Sequence, residues 1–559
     1  MEKIKKRELL EHNFIIIRYN QLFSINIGVT SMDSHHQLSK GFKVYGVIVI
    51  ISLFSFIVLY SFFPDWTKMT NIDSASSVLS SLVQSEAAIL GIVLTVSLVA
   101  VQLTASSFST RVIQIFKNSF TLWILVSIYI FAIIYSIGVL KFISPINTVS
   151  NNEFYIWIAY LLGIYSFFAL IPYMLDILDL MQPSKITLIL SENITEKTLQ
   201  NYLLKDKSDP IQPLMDILIL SLLKKDFGTL REGLTHLKTN LLTIFNSNNI
   251  ENEDLTNHIF DQLHILSSFK EITKDKKSAS ILVDILKECG SKSAEMKLEK
   301  STLKSIHTLR IFGKVTLNEN QEKLTLKVLE SFEKIGVKCA ENKLKRATPL
   351  SLQFLDEIGA ITAQKRLNKA LWQTIDCIEK IGYRSAEFKL KKTSRQSIYS
   401  LEKVAIAAAE QNLENRRRQA IQSIGRLGKK AAQQRLKFAT LESIYSLRKI
   451  GELTSAPKKT LVLSISAILS VGKKATEQNI DKGSKISVTA LVILGKKASE
   501  REMNELGLKT IYLIEQILDL EKENIELRDD IKMYLKELFL KNRHKLKNKP
   551  LKIESLIYD

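Results

Sequence analysis

Few residues in this 559-residue chain have the types and spacing that chemistry needs. It has no GxxxxGK[ST] phosphate loop, no GxGxxG turn after a strand, no HExxH and no GxSxG. The three cysteines, Cys289, Cys339 and Cys377, fit neither a CxxC motif nor a Cys/His metal spacing. His35-His36 has no carboxylate or thiol beside it at ligand spacing. The expectation is a protein that is not an enzyme and needs no cofactor or metal. Two arrangements remain. One is a polar face in an apolar segment: Gly91, Thr95, Gln102, Ser106 and Ser109 recur at helical steps, between Glu86 and Arg111. The other is a set of cations repeating every 46 residues, with one interval of 44: Lys292, Lys338, Arg384, Lys430 and Lys474 in one row, Lys297, Lys343, Lys389 and Arg435 in a second.

The elements that carry these residues differ in chemistry. Residues 291–500 hold 41 Lys and Arg against 20 Asp and Glu, a net of +21, while the remainder of this +20 chain is close to neutral. The pI of about 9.5 therefore belongs to one block, and the mean hydropathy of +0.06 averages that block with an apolar one. Four apolar runs, at 44–63, 87–105, 121–140 and 155–175, are each long enough to cross a hydrocarbon core of about 30 Å. The first is too long and starts too late for a cleavable signal peptide. Lys and Arg concentrate before residue 44 and at Arg111 and Lys117, which places both termini in the cytoplasm of a multi-pass cell-membrane protein. Trp66, Trp123, Tyr155 and Trp157 stand near span ends, where amphipathic rings favour the headgroups. In a bilayer the polar face of the second span should point away from lipid, either packing helix on helix or lining a pore or an oligomer axis. Ser97 and Thr104 form a neighbouring row. Glu86 and Arg111 read as charges at the outer and inner ends of that span.

The run VSLVAVQLTASSFSTRV with four spans around it, and Asp209-Pro210-Ile211-Gln212-Pro213-Leu214-Met215-Asp216 after them, resemble a family of bacterial and archaeal predicted integral membrane proteins, domain of unknown function 2254. The resemblance covers residues 40–240 and fades after Leu220. It implies a membrane topology and no established activity.

Glycine marks an internal repeat. Gly290, Gly313, Gly336, Gly359, Gly382, Gly428, Gly451, Gly472 and Gly495 recur every 23 residues, with Ala405 filling one place and a single interval of 21 between Gly451 and Gly472. Such a period is the mark of a solenoid. Alternate units are most alike, so the superperiod is 46 residues, as in HEAT-like arrays. The Ile-Gly and Leu-Gly pairs read as helix ends closed by glycine. Thr302, Thr348, Ser394, Thr440 and Ser484 read as N-caps, with Pro349 as a first helical residue. Each unit then holds two short helices, such as 431–438 and 441–450, with one continuous helix of about 20 residues as the alternative.

The expected protein is all-α: an N-terminal segment (1–43), a transmembrane domain (44–175), a helical cytoplasmic neck (176–277), an α-solenoid (278–502), and capping helices with a basic tail (503–559). Because repeats stack, equal positions form stripes along one surface. The two rows of cations make a candidate surface for a protein partner or an anionic surface, beside the lipid bilayer that holds the spans. Sequence-specific nucleic acid is not expected, since aromatic residues are poorly interleaved with the cations. Two functions follow: a membrane-anchored interaction scaffold, or a homo-oligomeric channel or transporter with the second span lining the pore and the solenoid as assembly or gating domain.

Overall fold

The structure is a computed structural model that describes residues 46, 49–50, 53–54, 57–58, 72–107, 120–142, 149–204, 209–246, 253–453, 457–520 and 529–542. The described residues are helical throughout apart from short turns. The chain divides into two compact units, Met1–His236 and Leu237–Asp559.

In the first unit, α1 (Ile72–Ser107), α2 (Phe120–Phe142) and α3 (Val149–Leu180) pack on one another. Within them Asp73–Thr104, Thr121–Phe142 and Phe154–Asp179 are long and apolar enough to cross a membrane. Of the expected first span only Gly46, Val49, Ile50, Leu53, Phe54, Ile57 and Val58 are described, all helical and exposed; the rest lies outside the described residues. The second span starts well before residue 87. Asp73 and Ser74 open a helix that runs unbroken through Glu86, because one charge among good helix formers does not stop a helix. Short helices follow: α4 (Pro183–Glu192), α5 (Glu196–Leu203) and α6 (Gln212–Lys224). Pro183 opens α4, where its missing N–H costs nothing, and Thr195 caps α5 in a capping box with Thr198. Then come α7 (Phe227–Asn246), in which the boundary between the units falls, and α8 (Glu253–Ser267).

The second unit is the repeat array. A 3-10 turn (Lys270–Lys274) leads into α9 (Lys276–Glu295), α10 (Glu299–Asn318), α11 (Glu322–Glu341), α12 (Ala347–Gln364), α13 (Asn368–Glu387), α14 (Lys391–Glu410), α15 (Glu414–Gln433), α16 (Lys437–Glu452), α17 (Lys458–Glu477) and α18 (Gly483–Glu500). Two terminal helices, α19 (Asn504–Leu518) and α20 (Asp529–Asn542), complete it. Each helix packs on the next and on the next but one. The odd-numbered helices α9 to α17 thus form one layer, here A, and the even-numbered α10 to α18 a second, B. This geometry explains the 46-residue superperiod: residues 46 apart are neighbours within a layer. In α13 the buried positions are Ala370, Leu371, Thr374, Ile375, Cys377, Ile378, Ile381, Gly382, Ser385 and Ala386, a wide apolar and small-residue stripe at helical spacing.

Each unit is one helix, and the two-helix reading is corrected. The slip in apolar phase between Leu436 and Leu441 is real, but it arises from the turn at 434–436 that separates α15 from α16. The glycines do not close helices. They sit inside them, and among the described residues no glycine has a positive φ. Close approach is their role. A Cβ on Gly290 would lie 2.7 Å from Ser305 Oγ on the next helix and 2.7 Å from Ile335 Cδ1 on the next but one. A Cβ on Gly382 would lie 2.7 Å from Ser397 Cβ and 2.9 Å from Leu427 Cδ1. Where Ala405 takes the anchor place in a B-layer helix, the position held beside the other B-layer anchors by Val328, Thr374 or Ser464 is the smaller Ala420.

The expected N-caps are corrected too. Thr302, Thr348, Ser394 and Thr440 lie within the first turn of their helices. They donate back to the carbonyls of Leu298 (2.7 Å), Leu344 (2.8 Å), Leu390 (2.9 Å) and Leu436 (3.0 Å). Ser484 is likewise inside α18, whose N-cap is Lys482, and Pro349 is the third residue of α12 rather than the first. Hydroxyls there satisfy themselves locally, which lets them be buried between helices.

Gly382→Ala should lower the unfolding midpoint of the array. Alanine gains about 1 kcal/mol of helix propensity, but overpacking costs about 1–3 kcal/mol, and here two side chains on different helices must both move. A midpoint that is unchanged or raised, followed by thermal unfolding, would contradict this role of the glycines.

Candidate functional site

The turns from A-layer to B-layer helices share one construction. The N–H of the residue seven after the anchor donates to the carbonyl three before it, and the following N–H to the carbonyl five before. Lys297 bonds Ala294 (3.2 Å) and Leu298 bonds Ser293 (2.9 Å); Lys343 and Leu344 repeat this on Ala340 and Cys339, and Lys389 and Leu390 on Ala386 and Ser385. This is the Schellman motif, which satisfies the last carbonyls of a helix by placing one residue in the left-handed region. That residue is Lys297 (φ 60°), Lys343 (58°), Lys389 (57°) and Arg435 (55°). A side chain in this region costs about 1–2 kcal/mol relative to glycine. Four successive A-to-B turns carry a cation where glycine is the best local choice.

These cations are exposed. Lys297, Lys343 and Lys389 have no ion pair among the described residues, and Arg435 meets only the amide oxygen of Gln478, at 3.4 Å. Lys345 and Arg346 in the α11–α12 turn, and Lys391 and Lys392 at the start of α14, add further exposed cations on the same edge. The structure thus places the second predicted row along one edge of the array.

The first row is different. Lys292, Lys338 and Arg384 alternate with Glu295, Glu341 and Glu387 in a ladder. Lys292 lies 3.3 Å from Glu295, Lys338 3.4 Å from Glu295 and 3.2 Å from Glu341, and Arg384 3.8 Å from Glu341 and 2.8 Å from Glu387. Burial alone would raise the Glu295 carboxyl, but hydrogen bonds from Lys292 and Lys338 outweigh it and hold the group below the usual carboxylate range. Lys338 is raised in turn, first by its hydrogen bond to Glu341. The ladder stops at Gln433, which has no charge to offer, and Lys430 instead lies over the Tyr383 ring at 4.5 Å. Lys474 pairs with Glu477 at 2.8 Å. This row is an internal stitch, not a free basic stripe, because a carboxylate three residues on reaches each cation it accompanies.

A further charged pattern was missed by counting cations alone. A carboxylate on one helix receives a hydroxyl or thiol 44 residues on and a cation 47 residues on, both from the next helix of the same layer. Glu402 takes Ser446 (2.6 Å) and Lys449 (2.6 Å), and Glu379 takes Ser423 and Arg426 (2.6 Å). Asp356 takes Ser400 (3.5 Å) and Lys403 (3.3 Å), and Glu333 takes Cys377 (3.5 Å) and Lys380 (2.9 Å). Burial would lift the Glu379 carboxyl, but the Arg426 and Ser423 hydrogen bonds prevail and hold it down. At Asp356, with its longer lysine contact, burial wins and the carboxyl is pushed up. Cys289, Cys339 and Cys377 are all buried free thiols, and burial pushes each well above the ordinary thiol range, which makes them inert.

In the membrane unit the predicted polar face divides. Gly91, Thr95 and Gln102 are exposed on α1, so they do not pack against α2 or α3. Thr95 satisfies its hydroxyl on the Gly91 carbonyl, 2.8 Å away. The packing row is the neighbouring one: Ser97 and Thr104 are buried, with Ser97 hydrogen-bonded to Tyr173 of α3. The side chain of Ser106, and all of Ser109 and Arg111, lie outside the described residues. Glu86 does not end its helix. It is 3 % exposed, about 20 Å along α1 from the start of the apolar stretch at Asp73.

No curated protein matches the chain. Among solved structures, it is similar to a circular tandem repeat protein with novel repeat topology and enhanced subunit contact surfaces. The identity is 12 %, with 67 % of this chain and 93 % of that one covered and a TM-score of 0.34. Residues 42–216, the stretch that holds α1 to α5, match the model of the family described as predicted membrane protein, DUF2254.

Proposed function

We propose that this membrane protein is a non-catalytic interaction scaffold, whose helical repeats dock an acidic protein segment on the edge formed by the A-to-B turns. The observation that carries the reading is the recurrence of unpaired Lys297, Lys343 and Lys389 at left-handed turn residues, where the fold by itself favours glycine. Equivalent positions on neighbouring helices of a layer stand about 8–10 Å apart. An extended peptide covers about 10 Å in three residues, so a carboxylate at every third position keeps step with the cations.

Full-length protein in nanodiscs of neutral lipid should bind a labelled peptide of Glu-Gly-Ser repeats, with an affinity that falls steeply as salt rises from about 50 to 200 mM. Fluorescence anisotropy reads both. Absence of binding at low salt, or tighter binding to duplex DNA or to anionic vesicles than to the peptide, would overturn the choice of partner. A second reading, the oligomeric pore, draws on the exposure of Gly91, Thr95 and Gln102 on α1.

A further inference from the structure

The core of the three-helix membrane bundle is interrupted. One apolar cluster joins Ala75 and Leu79 of α1, Val139 of α2 and Ile156 and Ala159 of α3. A second joins Val93 and Ala100, Leu125 and Tyr129, and Ala169, Tyr173 and Ile177. Between the two, α1 contributes Glu86 and α3 contributes Gly163 and Ser166, while on α2 Tyr129 and Ser136 border the gap. All four polar side chains are buried. Among the described residues, both carboxylate oxygens of Glu86, the Tyr129 hydroxyl and the Ser136 hydroxyl lack a hydrogen bond of good geometry. Ser166 stands beside Glu86 but donates its proton to the Gly163 carbonyl at 2.9 Å, leaving its lone pairs facing the layer. Gly163 makes the room: a Cβ there would lie 3.3 Å from Glu86 Oε1 and 2.7 Å from Leu82 Cδ1.

A bare carboxylate in hydrocarbon costs several kcal/mol, so the group there is neutralised either by a proton or by a counter-charge. Among the described residues of α1, α2 and α3 the only basic one is Lys141, at the far end of α2. A cation from solution can neutralise the carboxylate instead. We propose that Glu86, Ser166 and Tyr129 form an intramembrane site that exchanges a proton for a sodium ion. Every polar group at the layer offers a hard oxygen, the ligand type of alkali and alkaline-earth cations, and a single carboxylate balances a single positive charge. In the exchange Glu86 gives up its proton to water as the sodium ion takes its place on the carboxylate, so net charge in the bundle is unchanged.

The test uses the full chain in nanodiscs and dicyclohexylcarbodiimide, an apolar reagent that modifies protonated carboxyl groups. Peptide mass analysis should find Glu86 labelled. Sodium chloride should slow that labelling at least fivefold relative to choline chloride, with about tenfold more sodium needed for each unit drop in pH. Sodium should also raise the thermal unfolding midpoint of the wild type and leave Glu86→Gln unmoved. Ser166→Ala keeps the carboxyl and covers the case in which Glu86→Gln fails to fold: it should still be labelled, with sodium protection weakened several-fold. A labelling rate and a thermal midpoint that are the same in sodium and in choline overturn the proposal, as does a Glu86 that stays unlabelled at every pH.

Discussion

Glu414→Ala is expected to cost the array up to about 3–5 kcal/mol, the range for removing one partner of a buried ion pair. Glu414 is the first residue of α15, where a carboxylate also favours the helix dipole. It pairs with Arg417, whose side chain is only 3 % exposed, and accepts the hydroxyl of Thr460 from α17, the next A-layer helix. Arg418 stands 4.0 Å away. Removing the carboxylate takes the Glu414 ion pair from the buried Arg417 guanidinium and the Thr460 hydrogen bond from the packing of α15 on α17. Glu414→Gln keeps an acceptor for Thr460 and should lose less. The double variant Glu414→Ala/Arg417→Leu, with no charge left to strand, should recover most of the loss. Hydrogen exchange across α15 and α17 reads these local stabilities directly. A single alanine variant within about 1 kcal/mol of wild type would show that water or another group already serves Arg417.

Why Glu414 escaped a reading of the sequence is instructive. It sits in Glu-Asn-Arg-Arg-Arg, which reads as a solvated basic run at a helix start. Nothing in the local pattern says that the middle arginine turns inward, because that depends on the helix 46 residues on. The repeat itself was legible from the glycines, since a strict 23-residue period needs no knowledge of what the glycines touch. Their role was not legible. Glycine at a helix end and glycine at a helix crossing leave the same trace in one sequence, and only the position of Lys297 and its equivalents in the left-handed region separates them. The Thr302 series failed for the same reason: Ser and Thr serve equally as caps and as self-satisfied buried residues in the first turn. Membrane spans announced themselves by apolar length, yet Glu86 looked like a boundary because a charge usually is one. The two rows of cations, taken together as one surface, differ in their surroundings. Glu295, Glu341 and Glu387 were visible three residues beyond the first row, and a count of complementary charge at that offset would have set it apart from the second.

That second row carries the account, and it can be separated from any structural duty. In Lys297→Gly/Lys343→Gly/Lys389→Gly each substitution relieves a left-handed side chain, about 1–2 kcal/mol, against about 0.5–1 kcal/mol of extra chain entropy in glycine. The fold should therefore gain about 0.75 kcal/mol at each site and about 2 kcal/mol in all. The docking edge loses three unpaired cations at once, each contributing about 1 kcal/mol to an anionic surface at low salt, so affinity for the acidic peptide should fall about a hundredfold. A control at the ladder, Lys338→Gln, should trim stability slightly and leave binding close to wild type. Stability and binding moving in opposite directions is the signature of residues kept for a partner at some cost to the turn.

The deciding measurement is the anisotropy titration of the triple glycine variant beside wild type, full-length and in neutral nanodiscs, with thermal midpoints taken on the same samples. The account predicts a midpoint equal to or above wild type together with an affinity about two orders of magnitude weaker and a shallower dependence on salt. A variant that binds as tightly as wild type, or one whose midpoint collapses, would contradict it.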